Sequence, residues 1–209
     1  YAGENIQDLA VESTDVAYAA TDGENTVSKT ENAGFIWDDA ESTGMSGNCH
    51  MITSLGEDLV LVGGTEGEAA YSTDGGEDWE DLDQIAAGAA VQVTASGLEE
   101  GDFIYAALDT LGEDIYRLEI GDDDWDDVID GNLGATYGAY GIALVDNVCY
   151  VLASDGADSI LFRTLSASSV DDDSTWSSKA TTDADNVALN DGPQGLFVST
   201  GSTKLWALS

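Results

Sequence analysis

The chain has 209 residues, 43% of them hydrophobic, and sets 42 Asp and Glu against 5 Lys and Arg for a formal net charge of −37 at pH 7. That length and apolar content suit one folded domain with a sizeable core and exclude a disordered polymer. The charge repels nucleic acid and anionic lipid, and no apolar run approaches the ~20 residues of a membrane-spanning helix.

A single Pro, 24 Gly and few windows of period 3.6 point to short strands joined by glycine turns. Asp outnumbers Glu 28 to 14, and Lys is scarce. This balance resembles proteins of concentrated salt or of acidic cell surfaces, where ~1 M salt screens self-repulsion within about 3 Å. Cations and basic proteins are the partners such a surface attracts. Tyr1 is not an initiator Met and no signal peptide is discernible, so the expectation is a processed chain or an excised piece. Cys49 and Cys149 lie at non-equivalent places and are expected as free thiols.

In chain order, five apolar runs begin near Asp15, Asp58, Asp102, Asn147 and Gly195, recurring every 43 to 48 residues. They are Val16 to Ala20, Leu59 to Gly63, Phe103 to Ala107, Val148 to Leu152 and Leu196 to Ser199. Each is followed by a turn rich in Gly, Asp or Thr, and then by another strand: Thr26 to Ser28, Ala69 to Ser72, Ile115 to Leu118, Ile160 to Arg163 and Lys204 to Leu208. Shorter strands precede the runs at Asp8 to Val11, Met51 to Ser54, Val91 to Thr94, Gly141 to Val145 and Val187 to Asn190. Trp37, Trp79, Trp125 and Trp176 each open a fourth strand.

Four strands per repeat make the blade of an all-β, antiparallel β-propeller. The first strands are expected round the axis, the second buried on both faces and the Trp-led strands outermost. Blades are expected over about 7–42, 50–86, 91–131, 141–182 and 187–209, as one domain over 1–209. The last has no Trp-led strand of its own, and residues 1–6 are expected to complete it and hide its edge. Two alternatives stay open: a fragment of a larger propeller, or donation of the terminal strand to a neighbouring copy.

The turn between third and fourth strands carries a motif. Ser72-x-Asp74-x-Gly76-x-x-Trp79 is complete, and Thr30-x-Asn32-x-Gly34-x-x-Trp37 keeps every position by conservative exchange. Ser169-x-Asp171-x-Asp173-x-x-Trp176 loses the Gly, while Leu118 to Trp125 keeps only the Trp. These hairpins resemble the Asp-box, or BNR, repeats of sialidases, sortilin-type receptors, some glycoside hydrolases and photosystem II assembly-factor propellers. The resemblance implies a propeller whose Asp-box turns lie away from the axial face where ligands bind. It assigns Asp74, Asn32 and Asp171 to bracing turns, and the four tryptophans to packing between blades.

Sialidases resemble one another in clamping a substrate carboxylate with three arginines, and only Arg117 and Arg163 are present, at equivalent repeat positions. A glycosidase needs two carboxylates about 5 to 9.5 Å apart. Asp8, Asp102, Asp109 and Asp146 flank inner or second strands, where turn and strand-end duties are expected of them. His50, beside Cys49, lacks the further nitrogen or sulfur ligands that zinc takes. Asp122, Asp123 and Asp124 with Asp126 and Asp127, and Asp171, Asp172 and Asp173, could supply oxygen ligands to calcium, although neither run has the twelve-residue calcium-loop pattern.

Without concentrated chemistry, the chain reads as a non-enzymatic extracellular or cell-surface module, such as part of a surface layer, filament or virion appendage. Its expected partner is a protein or further copies of itself. The alternative is a carbohydrate-binding or carbohydrate-active propeller with a glycan at its axial face.

Overall fold

The structure is a computed structural model that describes residues 5–112, 115–129, 133, 136–171, 173–174, 176–180, 195–198 and 204–208. Alternating apolar residues and glycine turns set up five antiparallel sheets in sequence. The first holds β1 (Ile6–Val11), β2 (Ala17–Thr21), β3 (Thr26–Thr30) and β4 (Glu41–Ser42). The second holds β5 (Cys49–Gly56), β6 (Leu59–Gly64), β7 (Ala69–Ser72) and β8 (Glu80–Leu82). The third holds β9 (Val91–Ala95), β10 (Phe103–Leu108), β11 (Ile115–Glu119) and β12 (Asp126–Asp127), and the fourth β13 (Gly138–Val145), β14 (Val148–Ser154), β15 (Ser159–Thr164) and β16 (Ser177–Ala180). In the fifth, the described strands are β17 (Gly195–Val198) and β18 (Leu205–Leu208).

The sheets stand face to face around an axis. β1, β5, β9 and β13 touch their successors, and the apolar residues pack between sheets, not within them. Between the first and second lie Tyr18, Ala20, Val60 and Val62; between the third and fourth lie Tyr105, Ile115, Val151 and Phe162. Val60, Val62 and Val151 are fully buried, and each such side chain contributes about 1.5–3 kcal/mol.

Trp79, Trp125 and Trp176 pack at these interfaces, as their place after the third strand predicts, whereas Trp37 belongs to none of the buried clusters and lines a surface hollow with Leu9 and Val11. Trp79 and Trp125 pack in the first two interfaces and Trp176 in the third. The Trp125 indole donates to the Asp83 carbonyl at 2.9 Å and that of Trp176 to the Val128 carbonyl at 2.9 Å, both on the preceding sheet. Cys49 and Cys149 are free and buried, as expected.

One strand differs from its expected place. The Gly195–Val198 run resembles the buried second strands in composition, yet Leu196, Phe197 and Val198 line the central cavity beside β1, β5, β9 and β13. Packing of Leu196 and Val198 against Ala143 and Leu152 of the fourth sheet holds β17 there. The expected first strand of that blade, Val187 to Asn190, lies outside the described residues. So do Tyr1 to Glu4 of the expected closing segment, whereas Ile6 pairs with Thr21 in the first sheet.

Candidate functional site: the axial cavity

All five sheets send residues to a cavity of about 390 Å³ on the axis. Its wall mixes aliphatic side chains with hydroxyl-bearing ones: Leu9, Ser54, Leu55, Thr94, Leu144 and Phe197 are among its residues. The composition follows from the geometry, because inner strands of neighbouring sheets approach side to side and crowd their side chains inward.

Asp8 is the one carboxylate among the described lining residues. Its two oxygens are engaged: Oδ2 accepts from the Ile52 amide across the sheet boundary at 2.9 Å, and Oδ1 from the Leu9 amide at 2.8 Å. One sheet further on, the Met51 sulfur accepts from the Val93 amide at 3.0 Å. In both cases a side chain satisfies an inner-strand N–H that has no strand beside it.

At the start of the inner strands stand Gln7 and His50, each at a bulge, and Gln92. Gln7 Nε2 meets the His50 carbonyl at 3.5 Å, and Gln92 Nε2 lies 2.7 Å from His50 Nε2. Burial lowers the His50 pKa below its ordinary value, against the upward pull of Asp109 and Asp8. The ring is therefore neutral at pH 7, with Nε2 free to accept from the Gln92 amide.

The other carboxylates singled out from the sequence have local duties. Asp102 Oδ2 accepts from the Glu99 amide at 2.9 Å, Asp109 Oδ1 from the Ala90 amide at 2.7 Å, and Asp146 holds a turn with φ of 52°. Asp122, Asp123 and Asp124 are exposed, as are Asp171 and Asp173; Asp172 lies outside the described residues. Among the described residues no group of three or more His, Cys, Asp or Glu side chains converges to hold a metal.

The third-to-fourth strand turns stand away from the cavity. Gly76 N donates to Ser72 Oγ at 2.8 Å, and Asp78 N to Asp74 Oδ1 at 3.0 Å. The other good match repeats both bonds: Gly34 N to Thr30 Oγ1 at 3.1 Å and Ile36 N to Asn32 Oδ1 at 2.7 Å. Gly76 and Gly34 have φ of 90° and 84°, which only glycine adopts freely. The Ser169 turn closes otherwise, with Ser169 Oγ donating to the Ser166 carbonyl and Ser174 Oγ to Asp171 Oδ1 at 2.6 Å. A 3₁₀ turn at Ala167–Ser169 and the missing glycine account for the change.

Sequence reasoning missed the Gln7–His50–Gln92 row and the capping roles of Asp8 and Met51. Gln7, His50 and Gln92 are each the second residue of their strand, the one signal for the row. The caps had no signal, because they depend on how closely neighbouring sheets approach.

No family model matches the sequence, and no curated protein does. Solved structures do match in fold. The GH74 enzyme of Niastella koreensis superposes with a TM-score of 0.65 at 14% identity, over 88% of this chain and 31% of that one. YCF48 from Cyanidioschyzon merolae gives 0.61 at 16%, over 98% and 64%, and YCF48 bound to D1 peptide gives 0.60 at 13%, over 98% and 60%. The chain thus spans about a third of the GH74 enzyme and somewhat under two thirds of YCF48. It is an all-β propeller with five blades. At these identities the likeness establishes the fold alone.

Proposed function

We propose that this chain is a non-enzymatic extracellular interaction module whose axial cavity receives an uncharged, largely apolar segment of a protein partner. The observation that carries this reading is the wall of the cavity, aliphatic and hydroxyl-bearing in a chain of net charge −37. An acidic segment is repelled by the surroundings, and a basic one finds its counter-charges outside the axis. YCF48, similar in fold, has been solved with a peptide bound, which supports a peptide as the occupant. The bonding of the Ser72 and Thr30 turns supports reading them as Asp-boxes, there to brace blades.

A glycan is the second reading. It draws on the GH74 neighbours and on Phe197, an exposed aromatic at the cavity that could stack on a sugar ring.

Titration with short peptides in concentrated salt tests the first reading. Uncharged apolar sequences are expected to bind at least tenfold more tightly than acidic ones, and Thr94→Trp, which fills the cavity, is expected to abolish the difference. Release of reducing ends from xyloglucan, lost in Asp8→Asn, would instead establish the glycoside reading.

A further inference from the structure

We propose, resting on the reading of the axial cavity as a peptide site, that Gln7, His50 and Gln92 form its specificity-determining rim and bond the backbone amides of the apolar segment it receives. The three residues come immediately before Asp8, Met51 and Val93, which line the cavity. They stand at its edge, Gln7 exposed and the other two half-buried. In a chain of net charge −37 this rim is built from uncharged hydrogen-bonding groups. Asp8 and Asp109 act on His50 from nearby, but Asp8 has both oxygens on amides and Asp109 has Oδ1 on the Ala90 amide.

The first observation is how the rim is built. β1 loses register between Ile6 and Asp8, and β5 between Cys49 and Met51, so Gln7 and His50 are the extra residues of two bulges. β13 has a third between Ala139 and Gly141, at Tyr140. All three lie at one place in the repeat: Asp8, Met51 and Gly141 pair with Ala20, Gly63 and Leu152, each two residues past the one that faces Lys29, Tyr71 or Arg163. A bulge leaves its extra residue out of the ladder and re-aims the side chain. Regular pairing is thus given up repeatedly where the cavity begins. β9 keeps its register, and Gln92, opposite Ala107, holds the place of Asp8 and Met51. Those two spend their side chains on an amide of the next inner strand, whereas Gln92 turns back to His50.

The second observation is what the rim leaves unspent. Gln7 gives its amide nitrogen to the His50 carbonyl, and Gln92 gives its own to His50 Nε2. With Nε2 accepting, the ring proton sits on Nδ1. Among the described residues, Gln7 Oε1, Gln92 Oε1 and His50 Nδ1 meet no partner, and none of them is a buried orphan. The rim therefore presents two acceptors and a donor in the open. An apolar segment brings no polar side chain to meet them. It does bring backbone N–H and C=O groups, which lose water on entering the cavity and must be paired again. Neutral carboxamides and a neutral imidazole suit these groups, because they offer both donor and acceptor without a charge to desolvate.

Calorimetric titration in about 1 M KCl, where repulsion is screened within ~3 Å, tests this with an end-blocked nonapeptide of Val, Ala and Thr and a series in which one amide at a time becomes an ester. Each ester removes a single N–H and leaves every side chain in place. At one or two positions the ester is expected to bind the parent about tenfold more weakly, the worth of one hydrogen bond. Gln92→Leu and His50→Leu are expected to bind the all-amide peptide about tenfold more weakly and to treat those esters like the amide, with an unchanged circular dichroism spectrum. His50→Gln keeps a donor and an acceptor and is expected to discriminate as the parent does. The ester series on the parent needs no variant, so it decides even where a substitution disturbs the fold. Esters that all bind as the amide does would overturn the rim's role and leave the cavity a peptide site. A parent that binds none of these peptides would overturn both readings. Binding of a xyloglucan fragment in their place, lost in Gln92→Leu, would assign the rim to a glycan instead.

Discussion

His50 stands in the row of polar residues at the start of the inner strands, and its chemistry follows from where it lies. Burial lowers its pKa, so on acidification the unfolded chain takes up that proton before the folded one does. Stability contributed by the neutral ring is therefore complete above the unfolded pKa of about 6.5 and falls as pH drops below it. His50→Gln is expected to flatten the dependence of the urea midpoint on pH between about 5 and 6.5, relative to the parent in the same salt. Parallel profiles for the two proteins would show that His50 does not titrate in this way. Acids turned inward elsewhere are satisfied locally: Glu68, 9% exposed, accepts from Ser46 N, Ser46 Oγ and Gly47 N.

At the scale of the element, the repeat explains where the few cations sit. Lys29, Arg117 and Arg163 stand at one place in the third strand, opposite Tyr18, Tyr105 and Tyr150. Lys29 ties the first sheet to the second through Asp58 at 3.1 Å, with Glu31 also at 3.1 Å. Burial pulls the Lys29 amine down, but its bonds to Glu31 and Asp58 outweigh that and raise its pKa. Arg117 lies 4.8 Å over the Phe103 ring and reaches the Ser168 carbonyl of the fourth sheet. The Ser72 turn is the other repeated device. Amides of Asp78 and Glu77 and the Ser72 hydroxyl hold the Asp74 carboxyl below the usual range. Asp74→Ala removes these bonds and is expected to cost about 1–2 kcal/mol, read as a lower urea midpoint. An unchanged midpoint would mean that the turn is set by Gly75 and Gly76 alone.

For the whole molecule, the charge decides the conditions under which the fold holds. With 42 acids on 209 residues, self-repulsion opposes compaction wherever salt does not screen it. Removal of salt is expected to lower the melting temperature progressively and to abolish the β-type circular dichroism in dilute buffer, with recovery on adding KCl. A spectrum and melting temperature indifferent to salt would remove the halophilic reading.

The strand order, four strands to a repeat and the placing of Trp79, Trp125 and Trp176 between sheets were legible from the sequence, because strand alternation, turn glycines and repeat period are local signals. The same signals carried the free state of Cys49 and Cys149 and the two good turns at Thr30 and Ser72. Position across the axis was not legible. Leu196 to Val198 have the composition of a second strand, and only packing on Ala143 and Leu152 places them at the cavity. Leu9 and Ile52 are alike in sequence and register, yet one is exposed and the other buried, since burial depends on which sheet stands opposite. The sequence by itself determined the blade, whose hydrogen bonds and turns join residues close along the chain. The axial cavity and its capped amides were decided by tertiary structure, because they arise where sheets about forty residues apart come together.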